Sequence, residues 1–197
     1  MGALSTVLIV ALVIVVVVAV QLVMIYNNLV TLKNNVALAW ASIDVLLKQR
    51  HDEIPKLVEV CRQYKQFEQE TLVRVTEARS RVAAARESGN ISALGPAEAA
   101  LRAGVASVFA VAEAYPELKA NEHFMQLQSR ITGLENGIAD RREYYNDSVN
   151  VNNIRIQQFP DSVIAGMFNF KEARMLEFQA GETADVDMKS LFGSAAT

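Results

Sequence analysis

Two histidines, one cysteine, a run of carboxylates and a pair of arginines are the side chains in this sequence with chemistry to offer. His51 and His123 have no metal-ligating neighbour at helical spacing, and neither His-Glu-x-x-His nor Cys-x-x-Cys occurs. Glycine-rich phosphate loops are absent. A Cys61–His51 nucleophile and base would need contact, yet ten residues of straight helix separate them by about 15 Å. Cys61 lies on an apolar helical stripe and reads as a buried small hydrophobe, with a reactive thiol as the lesser alternative. A single cysteine also excludes an intrachain disulfide. Glu113, Glu117 and Glu122 gather near Pro116. A divalent-ion site is the sharp reading of that run, and a solvated loop the plainer one. Arg141-Arg142 beside Tyr144-Tyr145 has the chemistry to grip phosphate, but matches equally a solvated face next to packed aromatics. The sequence therefore assigns no catalytic, cofactor-binding or metal-ligating residue, and the expectation is a protein that is not an enzyme and carries no cofactor. The net charge of −3, with no basic patch, speaks against nucleic acid as a partner.

The elements that must position these residues begin with an apolar run. Val7 to Ile25 holds no charged residue, and the first charge in the chain is Lys33. A helix of about 19 residues spans roughly 28 Å, close to the hydrocarbon thickness of a bilayer. A cleaved signal peptide fits poorly, because the first six residues carry no basic side chain, the core is long and no Ala-x-Ala follows. No cysteine lies near residue 25, so lipoprotein processing is excluded too. The positive charges nearest the run are Lys33, Lys48 and Arg50, a slight bias toward a cytoplasmic domain.

Beyond the run, the chain is rich in good helix formers, with prolines at 55, 96, 116 and 160 as punctuation. From Tyr26 to about Glu87, apolar residues recur as Leu29, Leu32, Val36, Trp40, Ile43, Leu47, Ile54, Leu57, Cys61, Tyr64, Leu72, Val75 and Val82. Most steps are three or four, a heptad-like seam. No breaker lies between Val7 and Asp52, so anchor and first soluble helix are expected to be one rod. Pro55 predicts a kink, or a stop and restart with Asp52 as cap. Ser88-Gly89-Asn90 predicts a turn, followed by a small-residue helix from Pro96 to Ala114 with Ala97, Leu101, Val105, Val108 and Ala112 on its apolar face. A second long helix is expected from Glu122 to Gln158, striped by Phe124, Leu127, Ile131, Leu134, Ile138, Tyr145, Val149 and Ile156. Asn146, Asn150, Asn152 and Asn153 make its far part polar. A short apolar segment, Val163 to Phe170, follows Pro160, with Asp161 or Ser162 as cap.

Several motifs in order carry a family resemblance. They are Tyr26-Asn27-Asn28-Leu29-Val30-Thr31-Leu32-Lys33, Ala39-Trp40-Ala41-Ser42-Ile43-Asp44, Ile54-Pro55-Lys56-Leu57-Val58-Glu59 and Val75-Thr76-Glu77-Ala78-Arg79. Ala114-Tyr115-Pro116-Glu117-Leu118-Lys119-Ala120-Asn121, Glu135-Asn136, Tyr144-Tyr145-Asn146 and Phe159-Pro160 continue the set. Together they resemble the LemA family over residues 26–178. The resemblance implies an N-terminally anchored antiparallel helical bundle of bacterial membranes and no activity. One branch serves magnetosome membrane formation. Many relatives have a lipoprotein cysteine just before the Tyr-Asn motif, where this chain has Met24-Ile25, and the Val186 to Lys189 tail follows the pattern poorly. Such relatives place their domain outside the cytoplasm, which opposes the charge bias and tips the expectation outward. The motif residues read as scaffold: Asp44 near the seam, and Asn27, Lys33, Arg79, Lys119 and Tyr145 as a polar network between helix ends.

The expected fold is all-α, an N-terminal transmembrane helix continuing into an elongated antiparallel helical bundle. The expected parts are an anchor at 1–25, a LemA-like bundle at 26–178 and a flexible tail at 179–197. The expected function is a non-enzymatic scaffold, single-pass in the bacterial inner membrane, that self-associates as a homo-oligomer or docks a membrane or envelope protein. The alternative is a sensor or ligand- or metal-binding bundle using Asn146 to Asn153 and the Tyr115-Pro116 turn. Trp40 and Ile43 are expected to be buried against the region from Tyr145 to Ile156, which returns residues 163–170 toward the bilayer, where lipid contact or simple packing awaits them.

Overall fold

The computed structural model describes residues 2–64 and 67–176. Its regular elements are all helices: α1 (Gly2–Arg62), α2 (Gln69–Glu87), α3 (Ile91–Ala112), α4 (Pro116–Lys119), α5 (Glu122–Gln157) and α6 (Asp161–Met167). The expected tail, 179–197, lies outside the described residues.

α1 runs from the apolar segment into the bundle without interruption, as the missing breakers require. Its first part is rich in Val and Ile, poor helix formers in water. A hydrocarbon surrounding would enforce the helix instead, because every backbone group must then be satisfied internally. Residues 2–24 are all exposed, and the helix is long and apolar enough to cross a membrane. α3 passes the same test, but part of its apolar surface is buried.

Pro55 does not stop the helix, so the restart capped by Asp52 does not occur. The proline ring sits on the exposed side while Ile54, Leu57, Val58 and Cys61 around it are buried, and that packing outweighs one lost backbone bond. α1 instead ends at Arg62, where the sequence offers no breaker. Phe67 is buried against the ring of Tyr115, with centroids 5.6 Å apart. The Tyr64 hydroxyl donates to the Glu117 carbonyl. The apolar stripe does register this end, because Tyr64 to Leu72 is a step of eight.

The described chain divides into two compact units. One holds the residues up to Glu53 with Ser129–Met175, the other Ile54–Gln128 with Leu176. In the first, α1 and α5 are antiparallel in constant register. Arg50 meets Glu135 and Trp40 meets Tyr145, ten residues back on one helix and ten forward on the other. Leu29, packed in one cluster with Ile156, continues the register. Trp40 thus has its expected partner, at 5.8 Å between ring centroids. It is half-buried rather than buried, because Ala39 and Ile43 occupy the centre of the seam and the indole reaches Tyr145 from its edge.

In the second unit, α2 and α3 form a hairpin around Gly89, whose φ of 63° is the left-handed value that glycine accepts without strain. Asn90, not Pro96, starts α3: its side chain accepts from the Ala93 N–H at 3.1 Å, and Pro96 lies inside the helix. The cap overrides the proline as start signal because it satisfies an end N–H that Pro96 cannot reach. Ala97, Leu101, Val105, Val108 and Ala112 are all buried, as their spacing predicts. Gly104 lets the helices close: a Cβ there would lie 3.1 Å from Val75 Cγ2. Pro116 opens the single turn of α4, Leu118 is buried, and Asn121 caps α5 by accepting from the His123 and Phe124 N–H groups.

Candidate functional site

The most unusual side chain in the α1–α5 unit is Arg50, which is 1 % exposed. It falls on the seam because α1 presents Ile43, Leu47 and Arg50 at steps of four and three. A buried guanidinium needs a partner, and Glu135 accepts from Arg50 Nη1 at 2.7 Å. Three residues along α1, Glu53 is 3.5 Å from Arg130 of α5. Each helix thus offers one cation and one carboxylate, crossed so that only one register satisfies both. Such an arrangement fixes alignment. It presents no nucleophile or free proton donor to a substrate.

A second polar set holds the chain after α6. Asn153 of α5 donates to the Ala173 carbonyl at 2.8 Å and accepts from the Ala173 N–H at 2.9 Å. The Tyr145 hydroxyl donates to the Arg174 carbonyl at 2.8 Å, and Gln157 donates to Glu172. Burial raises the Tyr145 pKa. Buried Asn152 donates to Asn153. The asparagine-rich stretch of α5 is therefore spent partly on its own chain, as a clamp for the segment after α6.

The third set lies where α1 leaves its apolar run. Leu29, Ile164 and Ala165 form a buried cluster with Ile25, Ile156 and Phe170 against it. The Tyr26 ring meets Phe168 and Phe170 at 4.8 and 5.9 Å. Asp161 does not cap α6: Pro160 holds the cap position, and the Asp161 carboxylate lies 3.7 Å from Arg155.

Cys61 is fully buried and its pKa is pushed up to about 12 by desolvation, so the thiol stays protonated and inert at neutral pH. Glu113 pairs with Lys119. Among the described residues, no three of His, Cys, Asp and Glu come together as a metal site would need. Arg141 and Tyr144 are exposed, whereas Tyr145 is buried. Of the residues expected in a polar network, Lys119 pairs with Glu113, the Tyr145 hydroxyl donates to the Arg174 carbonyl, and Asn27 and Lys33 are exposed. Two open grooves run along the α2–α3 hairpin, of about 280 and 580 Å³. The first is lined by Arg74, Glu77, Arg81 and Ser107, the second largely by alanines.

Sequence reasoning missed Arg50 and Glu53, counting Arg50 only as a charge. The signal was present, since the stripe skips from Leu47 to Ile54 and Arg50 stands where the seam demands an apolar residue. The clamp by Asn153 had no such signal, because its target is a backbone amide.

Comparison with known proteins gives a consistent result. The family model described as the LemA family matches residues 39–189. The magnetosome proteins MamQ 1 and MamQ 2 of Paramagnetospirillum magneticum are each 23 % identical over 206 residues, covering 92 % of this chain and 76 % of theirs. The protein LemA of Metamycoplasma hominis is 25 % identical over 169 residues, covering 84 % of this chain and 74 % of its own.

Proposed function

The chain belongs to the LemA family, and on that premise we propose that it is a membrane-anchored, non-enzymatic scaffold that works by helix-to-helix association. The observation that carries this reading is α1 itself. One helix is fully exposed over its apolar first part and then becomes a core helix of the bundle. A bilayer would cover the first part, as nothing in the described chain does. The polar sets on the seam are spent on register and on clamping the chain, which supports a structural use. The magnetosome relatives and the family membership support a membrane-associated role without catalysis.

Self-association has its own support. Leu38 and Val45 of α1 are exposed large apolar residues seven apart, on one face. That heptad spacing fits a second helix laid alongside. On this reading the protein is single-pass in the bacterial inner membrane, with the bundle outside the cytoplasm. Light scattering on the full chain in detergent is expected to give an oligomer, and Leu38→Lys with Val45→Lys a monomer of unchanged helix content. A wild-type chain that is strictly monomeric, and that cross-links to no protein in native membranes, overturns the scaffold.

A further inference from the structure

We infer that α6 and the turn before it form a lipid-contacting foot, with Phe159, Val163, Met167 and Phe168 seated in the interfacial layer of the leaflet from which α1 emerges. The inference rests on the reading of residues 7–25 as a bilayer anchor and goes beyond it by adding a second membrane contact.

Phe159, Val163, Met167 and Phe168 are 84, 53, 72 and 56 % exposed. α6 buries Asp161, Ile164 and Ala165 on one side and exposes Val163 and Met167, four residues apart, on the other. From Ser162 through Phe170 there is no charged residue. A helix apolar on both faces has no side suited to water. The single acid of α6, Asp161, is buried beside Arg155, so the foot exposes no carboxylate.

The position supplies the occupant. Ile164 and Ala165 pack with Ile25 and Leu29, and the Phe168 ring lies tilted against Tyr26, centroids 4.8 Å apart. Ile25 ends the apolar run, which Asn27 and Asn28 close, and Tyr26 stands where interfacial aromatics gather. One helical turn is about 5.4 Å, so α6 lies within roughly a turn of the hydrocarbon boundary. Exposed Lys171 and Arg174 follow, two cations against the one exposed carboxylate of Glu172, which accepts from Gln157, and a headgroup layer accommodates such cations beside a buried apolar face. Leu38 is exposed as well, but it lies 13 residues beyond Ile25, about 20 Å up the helix and out of reach of lipid.

The test uses the full chain in phosphatidylcholine–phosphatidylglycerol vesicles. Trp40→Phe removes the sole tryptophan, and Met167→Trp, Leu38→Trp or Val16→Trp supplies a new one. Lipids brominated near the carbonyl end of the acyl chain are expected to cut Met167→Trp emission about twofold, with a blue shift and little effect of iodide. Leu38→Trp is expected to show no bromolipid quenching. Iodide quenching of Met167→Trp without bromolipid quenching overturns the foot. Protection from both quenchers also overturns it, assigning the patch to a second protein chain. Val16→Trp reports the anchor separately: if lipids brominated deep in the chain leave it unquenched, the anchor reading fails and the foot falls with it. Should Met167→Trp lose helix content, Val163→Trp on the same face replaces it with the same expected outcomes.

Discussion

In the unit built from α1 and α5, an arginine and a glutamate, Arg50 and Glu135, meet at 2.7 Å within a seam of aliphatic side chains. In the unit built around α2 and α3, the point of close approach holds a glycine, Gly104, against Val75. The first device specifies alignment at an energetic cost, because desolvating two charges offsets most of their attraction. The second gains stability from close packing and specifies alignment through shape. A helix proposed to serve also as an anchor gains from the first: heptad stripes can slip by a turn, and a crossed pair of charges penalises the slip.

The largest expected effect breaks that lock. Arg50→Ala leaves the Glu135 carboxylate in the seam without its cation and is expected to cost roughly 3–5 kcal/mol, toward the lower end because Glu135 keeps some access to water. Arg50→Met with Glu135→Met removes both charges and is expected to fall within about 1 kcal/mol of wild type. Urea unfolding of the detergent-solubilised chain, followed by circular dichroism, measures both. Equal losses in the single and double variants would mean that packing by the long side chains, not charge pairing, holds the seam.

Cys61 sharpens the comparison from the other unit. Its folded pKa, pushed up to about 12, lies above its ordinary value of 9.0. The folded chain therefore binds a proton that the unfolded chain has lost between those values. Stability from this group is complete below pH 9 and declines as pH rises toward 12, by at most about 1.4 kcal/mol per pH unit. Tyr145, also raised, adds to the same alkaline loss. Cys61→Ala is expected to flatten the slope of unfolding free energy against pH. Wild-type thiol is also expected to react with a maleimide only after denaturation, and rapid labelling of the folded chain would contradict its burial.

The clamp is a smaller test of the polar unit. Asn153→Ala removes two hydrogen bonds to the Ala173 backbone and is expected to cost about 1–3 kcal/mol. Hydrogen exchange is expected to speed at Ala173, with α2 and α3 unchanged. Exchange that does not change would show that the segment is held without the asparagine.

Periodicity made the long elements legible. α5 was expected over Glu122 to Gln158 and runs from Glu122 to Gln157, because Pro160 and an uninterrupted stripe bound it. The unbroken exit of α1 from its apolar run was legible for the same reason. What misled was punctuation by residue type alone. Pro55, expected to kink or stop the helix, does not stop it, and Pro96, expected in the first turn of α3, lies inside it, since buried neighbours and an upstream asparagine cap decide instead. The end of α1 at Arg62 rests on Phe67 and Tyr115 meeting from opposite sides of the hairpin, a contact that local sequence does not encode. The site was legible only as a gap in the stripe at Arg50, whereas its partner Glu135 depends on register, which emerges once the helices are paired.

The smallest expected effect separates the two packing modes with one substitution made in each unit. Alanine is favoured over glycine inside a helix by about 0.8–1.0 kcal/mol. At Gly137 of α5, the added methyl would meet only Leu46 Cδ1 at 3.3 Å, the mobile end of a half-buried side chain. Leu46 is expected to swing aside, so Gly137→Ala keeps most of the gain. At Gly104 the methyl would lie 3.1 Å from Val75 Cγ2, with the Val75 backbone Cα behind it at 3.6 Å. Val75 is fully buried and β-branched, with essentially one rotamer open to it in a helix. Relief there requires the helices to part, which is expected to cancel the gain or leave a loss of about 1 kcal/mol. Thermal melts of the two variants are expected to move in opposite directions, or Gly104→Ala not at all. If Gly104→Ala stabilised the chain as much as Gly137→Ala, the α2–α3 hairpin would be no tighter than the charged seam, and close packing would not be what distinguishes the two units.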